Sequence, residues 1–105
     1  MLMEGGLDRM AQAKGALARG DVAQKGLMLG KAVDIIIGLR DGLDAEKSEN
    51  PAYVQQLESL YAYMTNRLME ANLHNDADMI DEVARLLITV KEGWDAIAAP
   101  QGAAQ

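Results

Sequence analysis

The chain has 105 residues, half of them apolar, a formal net charge of −6, and neither cysteine nor phenylalanine. That length builds one domain around one core, and the lack of cysteine excludes disulfide and thiolate chemistry. No apolar run reaches the roughly 18 residues that cross a bilayer, no secretory signal opens the chain, and the ten Lys and Arg are scattered singly, which argues against nucleic acid and against membrane insertion or an anionic membrane surface.

The spacing of apolar residues predicts four helices. In the first, from about residue 1 to 18, Met3, Leu7, Met10, Lys14 and Leu17 step by 4, 3, 4 and 3. Gly20 then acts as a stop. Asp21 fits an N-cap, with Gln24 as its capping-box partner. The second helix runs from about 21 to 43 and is followed by the loop "LDAEKSEN". Asn50 suits the N-cap of the third, from about 51 to 73, because Pro51 at the first helical position lacks an N–H that would be unpaired anyway. "HND" breaks that helix, and Asn75 or Asp76 caps the fourth, from about 76 to 99. Asp78, Asp81 and Glu82 suit its positive N-terminal end. Pro100 ends it, and residues 100–105 are expected to be loose.

Val54, Leu57, Tyr61, Met64, Leu68 and Ala71 form one seam, and Ile80, Val83, Leu87, Val90, Trp94 and Ile97 another. Tyr61, Met64, Leu68, Leu87 and Trp94 are assigned to the core. Short connections make neighbours antiparallel. The expected fold is therefore all-α: one antiparallel up-down four-helix bundle over residues 1–105.

The second helix is too apolar for one neighbour. It contains "VDIIIGLRDGL", with isoleucine at 35, 36 and 37. At about 100° per residue, three in a row spread over about 200°, whereas a helix facing one core needs a stripe somewhat wider than about 100°. One edge of the apolar arc is Met28, Ile35 and Leu39, and the other is Val33 and Ile37. Either both edges meet neighbours within the bundle, or one lines a groove for a partner helix. Gly26 and Gly30 are four apart, as are Gly38 and Gly42. A glycine inside a helix costs roughly 1 kcal/mol relative to alanine. Such pairs fit the close approach of another backbone, or a loosely specified helix.

The groups that an enzyme brings together are missing. The single histidine, His74, reads as a solvated residue at a helix C-terminus. Glu70 and His74 are four apart, not the Glu-x-x-His step of di-iron bundles. "DADMIDE" lacks the glycine and terminal glutamate of a calcium loop. Ser48 and Ser59 have no paired base in view. The reading is not an enzyme, with no metal and no cofactor.

The segment "YAYMTNRLMEANLHNDADMIDEVARLLITVKEGWDAI", residues 61 to 97, carries Arg67-Leu68, Ala71-Asn72, Asn75-Asp76, Leu86-Leu87 and Trp94 in order. Upstream stand "GDVAQKGLMLGKAVDIIIGLRDGLD" and the opening "MLMEGGLDRM". Together these resemble the flagellar secretion chaperone FliS, the flagellin export chaperone family. The family usually has a leader before the first helix, and this chain starts inside the motif, as a trimmed or naturally short form would.

The resemblance implies a cytoplasmic bundle that binds the C-terminal segment of flagellin. It implies that the chaperone prevents premature polymerisation and delivers flagellin to the flagellar type III export apparatus. On that reading the spare edge of the second helix is the flagellin groove, formed by Met28, Ile35 and Leu39, with Leu60, Tyr63 and Arg67 from the side of the third helix's seam. Tyr63 and Arg67 would supply a polar rim. Arg67 equally suits an interhelical bond, Leu60 suits core packing better than client contact, and Asn72 suits the turn between helices three and four better than client contact. The alternative is a small self-associating bundle, a homodimer paired through the uncovered apolar groove.

Overall fold

Side-chain oxygens start three of the helices. The structure, a computed structural model, describes residues 2–43 and 50–103, and the side chains of 3–43 and 50–93. Helix α1 spans Leu2–Ala18, α2 Val22–Asp41, α3 Pro51–His74 and α4 Ala77–Ala103. The Asp21 carboxylate accepts from the N–H of Gln24 at 3.0 Å. Asn50 accepts from Tyr53 at 3.2 Å, with Pro51 opening α3. The Asp76 carboxylate accepts from Asp78 and Met79, so it is Asp76 that caps α4. Each satisfies N–H groups that a helix start leaves without an internal partner.

The two tight turns share one construction. After α1, Gly20 takes a left-handed conformation with φ 73°. Its N–H reaches Leu17, and the next N–H, of Asp21, reaches back to Ala16 at 2.9 Å. That pairing is the Schellman motif. It also explains why the expected capping box is only half formed: the Asp21 N–H is already engaged. After α3, Asn75 takes the left-handed position with φ 54°, and the Asp76 N–H reaches Ala71 at 3.0 Å.

Each helix packs against two others, α1 on α2 and α4, and α3 on α2 and α4. The helices alternate in direction around a closed ring, as expected for an up-down bundle. The core holds Met10, Leu29, Ile36, Tyr61, Met64, Leu68, Ile80 and Leu87, each at most 2% exposed. At about 25 cal/mol per Å² of apolar surface, each large side chain so buried contributes on the order of 2 kcal/mol to folding. No helix among the described residues is long and apolar enough to cross a membrane.

Helix α4 runs through Pro100 to Ala103, past the expected stop near Ala99. A proline inside a helix removes one hydrogen bond and kinks the chain, but neighbouring alanines are the strongest helix formers. The expected core positions of Trp94 and Ile97, and the loop residues 44–49, lie outside the residues or side chains described.

Candidate functional site

The three consecutive isoleucines have three different environments. Ile36 is fully buried, Ile35 is half-buried and Ile37 is 41% exposed. Ile35 lies over the glycines that open α1: a Cβ built on Gly6 would stand 3.5 Å from Ile35 and 3.4 Å from Leu87 of α4. Met28, only 4% exposed, is part of the core, and Leu39 packs partly against it. Of that edge Met28 is therefore core, and the glycine-bearing start of α1 sits close against Ile35.

The α3 residues expected beside that edge lie on another seam. Leu60 packs against the core from its margin. Arg67 reaches across to α4, its Nε and Nη2 meeting Glu82 Oε1 at 2.9 and 2.8 Å, while Nη1 meets Glu70 at 3.2 Å. Tyr63 donates its hydroxyl to the other oxygen of Glu82, and the Arg67 guanidinium stands 5.9 Å from the Tyr63 ring centre. Of the two expectations for Arg67, the structure shows the interhelical bond. Of the six expected groove residues, Ile35 thus meets α1, Tyr63 and Arg67 meet Glu82 of α4, Met28 is core, and Leu39 and Leu60 pack at its margin.

This cluster has a pH signature. The Tyr63 hydroxyl and then the Arg67 guanidinium hold the Glu82 carboxyl below its ordinary value of 4.5. The same bond to Glu82 pushes the Tyr63 hydroxyl above its ordinary 10.0. Folded Glu82 thus binds a proton less readily than unfolded Glu82. Its contribution is present above the ordinary glutamate value and is lost as the pH falls through the lower folded one. The Tyr63 contribution has the opposite sign: it is present below pH 10.0 and lost as the pH rises. Urea midpoints taken from pH 7 down to about 3 should fall less steeply in Glu82→Gln than in the wild type. Parallel profiles would show that Glu82 contributes nothing to acid sensitivity.

The open edge is the other one. Between α2 and α3 runs a groove lined by Gly26, Leu29, Gly30, Val33, Asp34, Leu68, Met69 and Asn72. On the two helices that form it, Leu27 and Ile37 of α2 and Met69 and Leu73 of α3 stand 53%, 41%, 56% and 77% exposed, and Met69 lines the groove itself. Large apolar side chains left exposed on two neighbouring helices are the kind of surface that marks an interaction site. Sequence reasoning named the Val33 and Ile37 edge but passed over Met69 and Leu73. Their signal was a four-residue step on α3 lying off the core seam.

One end of the groove is held by a buried cation that sequence reasoning missed. Lys25 is 3% exposed. Its ammonium donates to the Asn72 backbone carbonyl at 2.9 Å and to the side-chain oxygen of Asn75. The Asn72 carbonyl belongs to the last turn of α3, where the helix dipole is negative and carbonyls lack partners. Lys25 thus ties the start of α2 to the end of α3. Asn72, expected to hold the α3–α4 turn, instead joins α3 to α2 through its carbonyl and lines the groove.

A second apolar surface lies between α1 and α4, lined by Leu7, Met10, Ala11, Lys14, Asp81, Ala84 and Ile88, with an ion pair between Lys14 and Asp81. Among the described residues no three His, Cys, Asp or Glu side chains gather as a metal-holding group.

Comparison with known proteins agrees with the resemblance read from the sequence. The family model "Flagellar protein FliS" matches residues 1–101. The flagellar secretion chaperone FliSB of Pseudomonas aeruginosa is 50% identical over 98 residues, covering 93% of this chain and 76% of that protein. The flagellar secretion chaperone FliS of Vibrio cholerae is 41% identical over 97 residues, covering 92% of this chain and 70% of that protein. The FliS of Salmonella typhimurium is 44% identical over 99 residues, covering 93% and 72%. With a family match over nearly its whole length and relatives at these identities, the chain belongs to the FliS family of flagellar proteins.

Proposed function

We propose that this chain is a chaperone of the bacterial cytoplasm that binds the C-terminal region of flagellin. It keeps flagellin from polymerising early and delivers it to the flagellar type III secretion apparatus. It acts by binding alone, without catalysis or cofactor. The observation that supports this reading is the α2–α3 groove, lined by Leu29, Val33, Leu68 and the exposed Met69, on two helices that also leave Leu27, Ile37 and Leu73 exposed. A client segment that is disordered when free costs free energy to order on binding. A long apolar groove offsets that cost by burying apolar surface. In this proposal the client follows the α2–α3 groove rather than the edge of Met28, Ile35 and Leu39.

The test is calorimetric titration of the full chain with a C-terminal peptide of the cognate flagellin. One-to-one binding with a negative heat-capacity change is expected, weakened about tenfold or more by Met69→Asp, which changes an exposed residue and should leave the fold intact. A folded wild type that does not bind would refute the reading. Sedimentation of the chain alone would then separate an inert monomer from the self-associating alternative.

A further inference from the structure

We infer that Gly30, with Gly26 one turn before it, is the specificity-determining floor of the α2–α3 groove, opening a hole for the bulky apolar side chains of a client helix. The inference rests on the proposed function and adds to it the shape of the client surface that fits.

Gly30 lies in the interior of α2, is exposed, and has none of the positive φ that would require glycine. A Cβ built on it meets no atom within 4 Å. Neither the backbone nor the packing of this chain therefore calls for glycine at a position where glycine weakens the helix. Empty space alone is not the reason for the choice. Gly38 is equally exposed and equally open, but it does not line the groove. At Gly30 the space opens between Leu29, Val33 and Met69. Gly26 continues the floor, with its Cβ position 3.7 Å from the Asn72 side chain.

The relatives are named secretion chaperones, so the occupant to consider is a cargo segment. A groove between two neighbouring helices accepts a third helix by its i, i+3, i+4 and i+7 side chains. With no side chain at positions 26 and 30, large apolar side chains of that helix can seat against the α2 backbone. The one charged side chain lining the groove is Asp34. The complementary client helix therefore carries Leu, Ile or Met along its stripe and Lys or Arg beside it.

The experiment titrates the cognate flagellin C-terminal peptide into wild type, Gly30→Ala, Gly30→Leu and Gly38→Leu, with thermal unfolding of each. All three variants should unfold at or above the wild-type temperature, since each replaces a helical glycine that has free space. Gly38→Leu should bind within about twofold of wild type, Gly30→Ala should bind more weakly, and Gly30→Leu should lose about tenfold or more. Binding by Gly30→Leu within twofold of wild type would overturn the inference while leaving the proposed function standing. Failure of the wild type to bind would overturn both. If Gly30→Leu unfolds early, Gly30→Ala decides: unchanged affinity counts against the inference.

Discussion

Alanine at Ile36 is expected to cost about 3 to 4 kcal/mol of stability, alanine at Ile35 about 1 to 2, and alanine at Ile37 less than about 1. The three residues are chemically identical and adjacent, so helix propensity and side-chain entropy change alike in all three. Only the surroundings differ. Ile36 is fully enclosed, and removing it leaves a cavity that its neighbours fill incompletely. Ile35 leans on the glycines of α1 and keeps partial contact with water. Ile37, on the same edge of α2 as the groove residue Val33, keeps 41% of its surface exposed. Urea unfolding of the three variants gives the ranking directly. Equal losses at positions 36 and 37 would mean that α2 is rotated about its axis from the orientation described. Ile37→Ala should in turn weaken flagellin binding, which its small stability cost makes easy to read.

Lys25→Ala is expected to cost about 3 kcal/mol, and Lys25→Met about half as much. The alanine variant loses two charge-assisted hydrogen bonds and the packing of a buried four-carbon stem. Methionine restores most of the stem but leaves the Asn72 carbonyl and the Asn75 side chain without their donor. Water can partly replace that donor, because Asn72 and Asn75 are themselves exposed, which keeps the cost below that of a sealed site. Asn75→Gly separates the two roles of Asn75, for it keeps the left-handed turn and removes only the acceptor. Combined with Lys25→Met it should cost less than the sum of the two single changes in thermal or urea unfolding. Additive costs would show that the Lys25–Asn75 bond contributes nothing.

The helices and their caps were legible in the sequence because their causes are local. Asp21, Asn50 and Asp76 each accept from N–H groups within three residues, Pro51 opens α3 without an N–H to satisfy, and the apolar stripes of α1, α3 and α4 repeat at helical spacing. The site was less legible because it depends on which side of α2 each neighbour occupies. The sequence of α2 shows two apolar edges and does not rank them. The ranking comes from α1, where Gly5 and Gly6 let the backbone settle close to Ile35. Met28, Ile35 and Leu39 alone carry no sign of that distant cause. Arg67 was ambiguous for the same reason, since its partner Glu82 belongs to the next helix. Lys25 gave no signal at all, because a lone lysine on a helix is ordinarily solvated. Its burial follows from the left-handed turn at Asn75, fifty residues away.

The closed ring also fixes an order of events. Three of its seams join helices that follow one another along the chain, and two of those pairs are linked by turns of only a few residues. The fourth seam, α1 against α4, brings Gly6 to Leu87 and Lys14 to Asp81. It must close the longest loop in the molecule, and the entropy of that closure is not recovered until its contacts form. A chain folding from its hairpins therefore makes this seam last. In a cell it cannot make it at all until α4 has left the ribosome, so α1 waits for α4 through the synthesis of the two helices between them.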